Sequence, residues 1–89
     1  MSWTWQYANI TSATTTTVAK GPCELMSVTV NKGVSAATIT VYDNASAGSG
    51  TKIATIAADN PGNFFYGVRC KNGVTVVTSA ATDITVNYA

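Results

Sequence analysis

The side chains in this sequence that could do chemistry are few and lie far apart. The chain has no histidine, and its four carboxylates fall in four separate segments, as Glu24, Asp43, Asp59 and Asp83. Catalysis by side chains needs an acid, a base or a nucleophile held beside a partner group. The residue types and their spacing match none of the roles that an active site requires, so we expect a protein that is not an enzyme.

A cation site is the next possibility for the acidic residues. Carboxylate and amide oxygens at positions 43, 44, 59 and 60 are ligands that calcium accepts, but their spacing fits no calcium loop. Turn residues of these types also hydrogen bond to their own local backbone, which explains Asp43 and Asp59 without a metal. We therefore expect neither a metal nor another cofactor.

Cys23 and Cys70 are the only thiols. Two cysteines without histidine do not make a four-ligand zinc site within one chain. A disulfide is compatible with two neighbouring strands and would stabilise the fold by about 2–4 kcal/mol. A reducing cytoplasm opposes that bond during synthesis, so free thiols are favoured, with Cys70 as a small core residue.

Charge is sparse and balanced. Five basic and four acidic residues give a net charge of +1, which supplies no basic field for phosphates, so no nucleic-acid partner is expected. No apolar run approaches the length of a membrane span, and the first residues lack the pattern of a secretory signal. Met1 indicates a complete reading frame made in the cytoplasm, with a trimmed chain as the alternative.

The composition favours strands over helices. The chain has fifteen Thr and ten Val but a single Leu, at position 25, and β-branched side chains suit a pleated sheet. Alternation with a period of two recurs along the chain. It predicts inward faces formed by these residues: Met26, Val28 and Val30; Ala37, Ile39 and Val41; Phe64, Tyr66, Val68 and Cys70; Ile84, Val86 and Tyr88.

Turn residues separate the predicted strands. Residues 43–50 form the longest loop, small and polar throughout, and residues 59–63 form a turn with a proline and a glycine. Asn72-Gly73 predicts a hairpin with a type I′ turn between the strands on either side. Seven or eight short antiparallel strands indicate an all-β fold, a single small β-sandwich or jelly-roll-like barrel. Residues 1–13 form an N-terminal aromatic arm or first strand, and residues 14–89 form the β-sandwich domain.

The aromatic residues near the N-terminus admit two interpretations. Trp3, Trp5 and Tyr7 alternate with polar or small residues and so share one face of a strand. They either cover the sandwich core, as aromatic residues do in small domains, or anchor the chain to a neighbouring subunit. A small domain gains stability from oligomer contacts, so we treat these three residues as candidate contacts with another protein subunit.

Four segments carry a resemblance to a known group of proteins. They are residues 27–31 (SVTVN), 40–44 (TVYDN), 50–56 (GTKIATI) and 72–78 (NGVTVVT). Together they resemble short structural proteins of tailed bacteriophages and prophages, over residues 20–88. The aromatic start lies outside the part that carries the resemblance.

The resemblance implies a virion structural protein made in the cytoplasm of a bacterial host. The expected function is capsid decoration or cementing, with the major capsid protein as partner and a homo-oligomer, a trimer or a dimer, as the assembled form. A tail, neck or fibre component is one alternative. A host-surface glycan-binding module that uses Tyr42, Tyr66 or Trp5 is the other.

Overall fold

The computed structural model describes residues 5–89, and these residues form eight strands and no helix. This part of the chain accordingly contains no helix of the length and apolarity that a membrane span requires. The strands, in chain order, are β1 (Gln6–Ile10), β2 (Thr15–Ala19), β3 (Cys23–Lys32), β4 (Thr38–Asp43), β5 (Thr51–Ala57), β6 (Gly62–Cys70), β7 (Val74–Thr78) and β8 (Asp83–Tyr88).

The strands make two four-stranded antiparallel sheets. Sheet A has the order β1-β8-β3-β6, and sheet B has the order β2-β7-β4-β5. The first strand pairs with the last, the second with the seventh, the third with the sixth and the fourth with the fifth. A long antiparallel hairpin wound into two sheets gives this pairing, which is the jelly-roll arrangement. The predicted all-β fold is therefore confirmed.

The core lies between the two sheets, and strand alternation identifies most of it. Ala37 and the predicted inward residues of β4 are buried, as are Ile84 and Val86 of β8, whereas Tyr88 is only half-buried. Among the described residues, the Cys70 thiol is the one ionisable group buried with them. β-Branched side chains dominate, as the composition indicates. The fully or nearly fully buried apolar residues are Ile10, Leu25, Val28, Val30, Ala37, Ile39, Val41, Ile56, Ala58, Cys70, Val74, Val76, Ile84 and Val86.

Strand β3 departs from the predicted alternation at Met26. A β-bulge falls between Leu25 and Ser27 against both neighbouring strands. The extra residue reverses the in-out pattern, because two residues of β3 then take the place of one. Leu25 is completely buried and Met26 only partly, so the prediction that Met26 shares the inward face of Val28 and Val30 is wrong.

The predicted Asn72-Gly73 hairpin is also wrong. β6 belongs to sheet A and β7 to sheet B, so the turn carries the chain from one sheet to the other. The Asp43 side chain, at the end of β4, holds this turn: its carboxylate accepts hydrogen bonds from the backbone N–H groups of Lys71 (3.1 Å), Asn72 (2.8 Å) and Gly73 (3.2 Å). Asp43 thus bonds to a distant turn and not, as expected, to its own local backbone.

The turn requires glycine at position 73 because there is no space for a Cβ atom. A Cβ atom there would lie 2.4 Å from the carbonyl oxygen of Ala19 and 3.0 Å from the Cα of Ala45, and φ is +155°. The Asn-Gly pair therefore marks a tight crossing between sheets, which needs the same small residue that a hairpin turn would need.

The loop of residues 43–50 does not simply project outward. The Asn44 side chain accepts hydrogen bonds from the N–H groups of Ser46 (2.8 Å) and Ala47 (2.9 Å) and donates one to the carbonyl oxygen of Ser49 (3.0 Å). A Cβ on Gly48 would lie 2.5 Å from Val77, on the outer face of sheet B. The loop folds back over that face, and Ser46, Ala47, Ser49 and Gly50 are its exposed residues.

Candidate interaction surface

The large exposed apolar side chains of residues 5–89 all belong to one sheet. They lie on or beside the two edge strands of sheet A: Trp5 and Tyr7 at β1, and Phe64, Phe65 and Val68 on β6. Sheet B has none in the described part of the chain. This segregation distinguishes sheet A as the face most suited to binding, because clustered exposed apolar residues mark interaction sites.

The two described N-terminal aromatic residues are not core residues. Tyr7 is 72% exposed and Trp5, directly before β1, is 51% exposed. Their neighbours Ala8 and Ile10 turn toward the core instead. Trp3, the third candidate contact, lies outside the described residues. The first strand thus belongs to the sandwich through its pairing with β8, while its Tyr7 ring faces away from the core.

A continuous row of side chains connects the two aromatic edges. Tyr7 is the register partner of Asn87, Asn87 that of Ser27, and Ser27 that of Phe65. Directly opposed residues share a face of the sheet, so this row crosses the outer face of sheet A. With strands about 4.8 Å apart, the two aromatic residues stand about 14 Å apart across three inter-strand gaps.

The sequence identified only one end of this row, Tyr7, as a candidate contact. The alternation of β6 placed Phe65 on the face opposite Phe64 and Tyr66, and Phe65 is 67% exposed. The predicted burial of Phe64 and Val68 is wrong, because each is 36% exposed on this edge strand. A bulky aromatic side chain on the polar side of a strand was the available signal. Phe65 and Tyr7 lie in the same row because β6 pairs with β3, β3 with β8, and β8 with β1. No local sequence pattern reveals these pairings.

The polar side chains between the aromatic edges hydrogen bond to one another. Asn87 donates to the hydroxyl of Ser27 (3.0 Å), and the Thr29 hydroxyl donates to Asn63 (2.8 Å). These bonds join β8 to β3 and β3 to β6. The polar part of the face is therefore held in place before any partner arrives, which lowers the entropy lost on binding.

Asp83 organises the far end of this face. Its carboxylate accepts hydrogen bonds from the side-chain amides of Asn9 (2.7 Å) and Asn31 (3.2 Å), which come from the two strands that flank β8. These two bonds, Asn9 first, hold the pKa of Asp83 below its usual 3.8, and the nearby Lys32 charge adds to the effect. Asp83 is thus ionised at neutral pH and already has partners.

Two other aromatic candidates lie elsewhere. Tyr42 is half-buried on the outer face of sheet B, beneath the loop that carries Gly48. Tyr66 packs partly against the core, where burial raises the pKa of its hydroxyl. Neither residue belongs to the aromatic-edged face of sheet A.

The remaining chemistry-bearing groups are the cysteines and the carboxylates. Within residues 5–89, no three potential ligands among cysteine, aspartate and glutamate come together. Cys23 and Cys70 are free thiols on paired strands. The arrangement of the sheet A face supports binding through aromatic contact and hydrogen bonding.

Comparison with known proteins leaves the family open, because no protein-family model and no curated protein matches this chain.

Proposed function

We propose that this chain is a structural protein of a bacteriophage virion that binds the major capsid protein lattice as a decoration or cementing protein. It binds through the outer face of sheet A, the face edged by Trp5 and Tyr7 on one side and Phe65 on the other. The observation that carries the proposal is the segregation of all the large exposed apolar residues of the described chain to the edges of this one sheet.

The chemistry of the face supports assembly with other proteins. Aromatic residues are the commonest energetic anchors of protein interfaces, and a polar, hydrogen-bonded surround excludes water around them. Net charge is only +1, so long-range repulsion does not oppose the close packing of many copies.

The jelly-roll topology supports this proposal only by analogy with other jelly-roll proteins. Jelly rolls are common in viral capsid proteins and also in lectins, and a fold by itself does not determine a function. The resemblance of residues 20–88 to phage and prophage proteins favours the first of these uses. A homo-oligomer bound at capsid symmetry positions would bury more surface than the monomer can.

Two experiments test the proposal. Cryo-EM of the parent virion locates the chain: density on the capsid lattice supports decoration, whereas a single ring at the neck or tail, or no density, contradicts it. Purified protein is then added to capsids that lack it, and binding is measured by co-sedimentation. Truncation of an interface anchor such as Tyr7 or Phe65 to alanine is expected to weaken binding by about 30-fold or more.

The control is Thr55→Ala, an exposed position on the outer side of β5 in sheet B. It is expected to bind as the wild type does. Because Tyr7 and Phe65 are largely exposed, their substitution should change stability by about 0.5 kcal/mol or less, so lost binding would not reflect unfolding. Equal binding by all three variants would remove sheet A from the interface.

A glycan-binding module is the second candidate, and one observation favours it. The row from Tyr7 to Phe65 places two aromatic rings on either side of amide and hydroxyl groups, the combination that sugar hydroxyls and sugar ring faces require. Binding on a glycan array that is lost in Tyr7→Ala and kept in Thr55→Ala would support this candidate. An array without signals would exclude the glycans that it carries.

A further inference from the structure

The two thiols of the chain meet across one strand pair. Cys23, the first residue of β3, is the register partner of Cys70, the last residue of β6. The two thiols are close enough for each to affect the pKa of the other. Opposed residues of an antiparallel pair point to the same side, so both sulfurs lie on the core side of sheet A, where Cys70 is buried and Cys23 half-buried.

The separation suits a disulfide bond. Opposed residues of antiparallel strands have Cα atoms about 4.5–5.5 Å apart, and disulfides span Cα distances of about 4.4–6.8 Å. Their Cβ atoms start about 4.5–5.5 Å apart and need about 3.5–4.5 Å. The small approach is feasible because both residues are strand ends, and β6 is an edge strand with a neighbour on one side only.

We propose that Cys23 and Cys70 are a reversible oxidation site: they are thiols in a reducing compartment and form a cross-strand disulfide once a low-molecular-weight disulfide is the prevailing redox partner. This inference is independent of the proposed function. Its consequence is structural, because the bond ties the end of the exposed edge strand β6 to the central strand β3.

The reaction is an ordinary thiol–disulfide exchange. The Cys23 thiolate, the more accessible one, attacks a sulfur of oxidised glutathione and releases one glutathione thiolate. The Cys70 thiolate then attacks the Cys23 sulfur of this mixed disulfide and releases the second. The protons lost by the two cysteines are taken up by the two glutathione thiolates, so the protein loses two hydrogens and one oxidised glutathione becomes two reduced ones.

The burial of the pair sets the conditions for the reaction. Burial raises the pKa of Cys70 from 9.0 to about 11, with a contribution from Cys23, and burial also raises the pKa of Cys23. Because the thiolate is the reacting form, oxidation is slow at neutral pH, and its rate is expected to increase with pH between about pH 7 and 9.

The test uses the full chain with oxidised glutathione as the probe. After incubation at pH 8.5, intact-mass measurement is expected to show a monomer lighter by two hydrogens, without free thiols. The melting temperature should rise by about 10–20 °C, and dithiothreitol should reverse both changes. Cys23→Ser, at a half-buried position, should keep one thiol and show no rise in melting temperature with the oxidant.

A second variant tests the register. In Arg69→Cys/Cys70→Ala the second thiol moves one residue along β6, to the position opposite Glu24 and so to the outer face. It should form no intramolecular disulfide with Cys23 in the folded state, which circular dichroism verifies. Disulfide formation as fast as in the wild type would overturn the proposal. So would thiols that stay free, a persistent glutathione adduct or a covalent dimer in the wild type.

Discussion

Replacing Asp43 by alanine removes the acceptor for three backbone N–H groups of the turn between β6 and β7. The distances from the carboxylate oxygens to the nitrogens of Lys71, Asn72 and Gly73 are 3.1, 2.8 and 3.2 Å. These bonds join the end of β4 in sheet B to the end of β6 in sheet A. Asp43→Ala therefore weakens a connection between the two sheets.

The magnitude follows from these three bonds. A net contribution of about 0.5–1.5 kcal/mol is typical for each hydrogen bond, and bonds to charged groups lie higher. Because water can reach the turn and replace part of the lost bonding, the lower end applies, which gives about 2 kcal/mol in all. For a domain of this size that corresponds to a fall in melting temperature of about 8–16 °C.

Asp43→Asn separates charge from geometry. It keeps one side-chain oxygen, which can still accept from Asn72 and Gly73, but loses the negative charge and the second acceptor. We expect a loss of about 1 kcal/mol, between the wild type and the alanine variant. Urea unfolding followed by tryptophan fluorescence measures the three free energies under reducing conditions.

The pH dependence gives an independent check. The N–H donors, that of Asn72 first, hold the pKa of Asp43 below its usual 3.8. A lowered folded-state pKa means that the stabilisation is complete above the unfolded-state value and is lost as the pH falls through the folded-state value. The difference between wild type and Asp43→Asn should therefore be constant from pH 7 to about 5 and shrink below about pH 4.

Asp59→Ala is the control, since it removes the same charge from an exposed turn between β5 and β6. It should change stability by about 0.5 kcal/mol or less. The explanation would be refuted if Asp43→Ala were as mild as Asp59→Ala, or if the deficit of Asp43→Asn remained unchanged at pH 2.5.

Two further predictions concern packing, each with a matched control measured by urea unfolding. Gly73→Ala would place a Cβ 2.4 Å from a backbone oxygen and should lower the free energy of unfolding by about 3 kcal/mol. Gly21→Ala, whose Cβ would have nothing within 4 Å, should leave it nearly unchanged. Equal effects of the two substitutions would disprove the tight crossing at Gly73. Leu25→Ala, at a completely buried position, should cost about 3 kcal/mol, and Met26→Ala less than about 1.5 kcal/mol. The reverse order would show that β3 has no bulge.

The comparison of prediction and structure separates local from long-range information. Alternation identified the inward residues of β4, and Ile84 and Val86 of β8, correctly, because a strand's in-out period is set by its own backbone. It failed at Met26, where an inserted bulge residue reverses the period without changing the residue types on either side. It failed at Asn72-Gly73, because a tight crossing and a hairpin turn both favour asparagine and glycine.

The same reasoning predicted only part of the candidate surface. The sequence singled out Trp5 and Tyr7 as either core or contact residues, and their exposure in the structure removed the first choice. Phe65 completes the surface from a strand almost sixty residues further along the chain. The partner of Asp43 was missed for the same reason, since the turn that it holds lies 28 to 30 residues away.

The sequence by itself determined an all-β chain with few charges, whose side chains alternate between the two faces of each strand. Composition and period are local properties, and they hold whichever strands become neighbours. Only the tertiary structure decided that the first strand pairs with the eighth and the third with the sixth. That pairing places Tyr7 and Phe65 at opposite edges of one sheet and Cys23 opposite Cys70, because winding the chain as one long hairpin brings together residues that are distant in sequence.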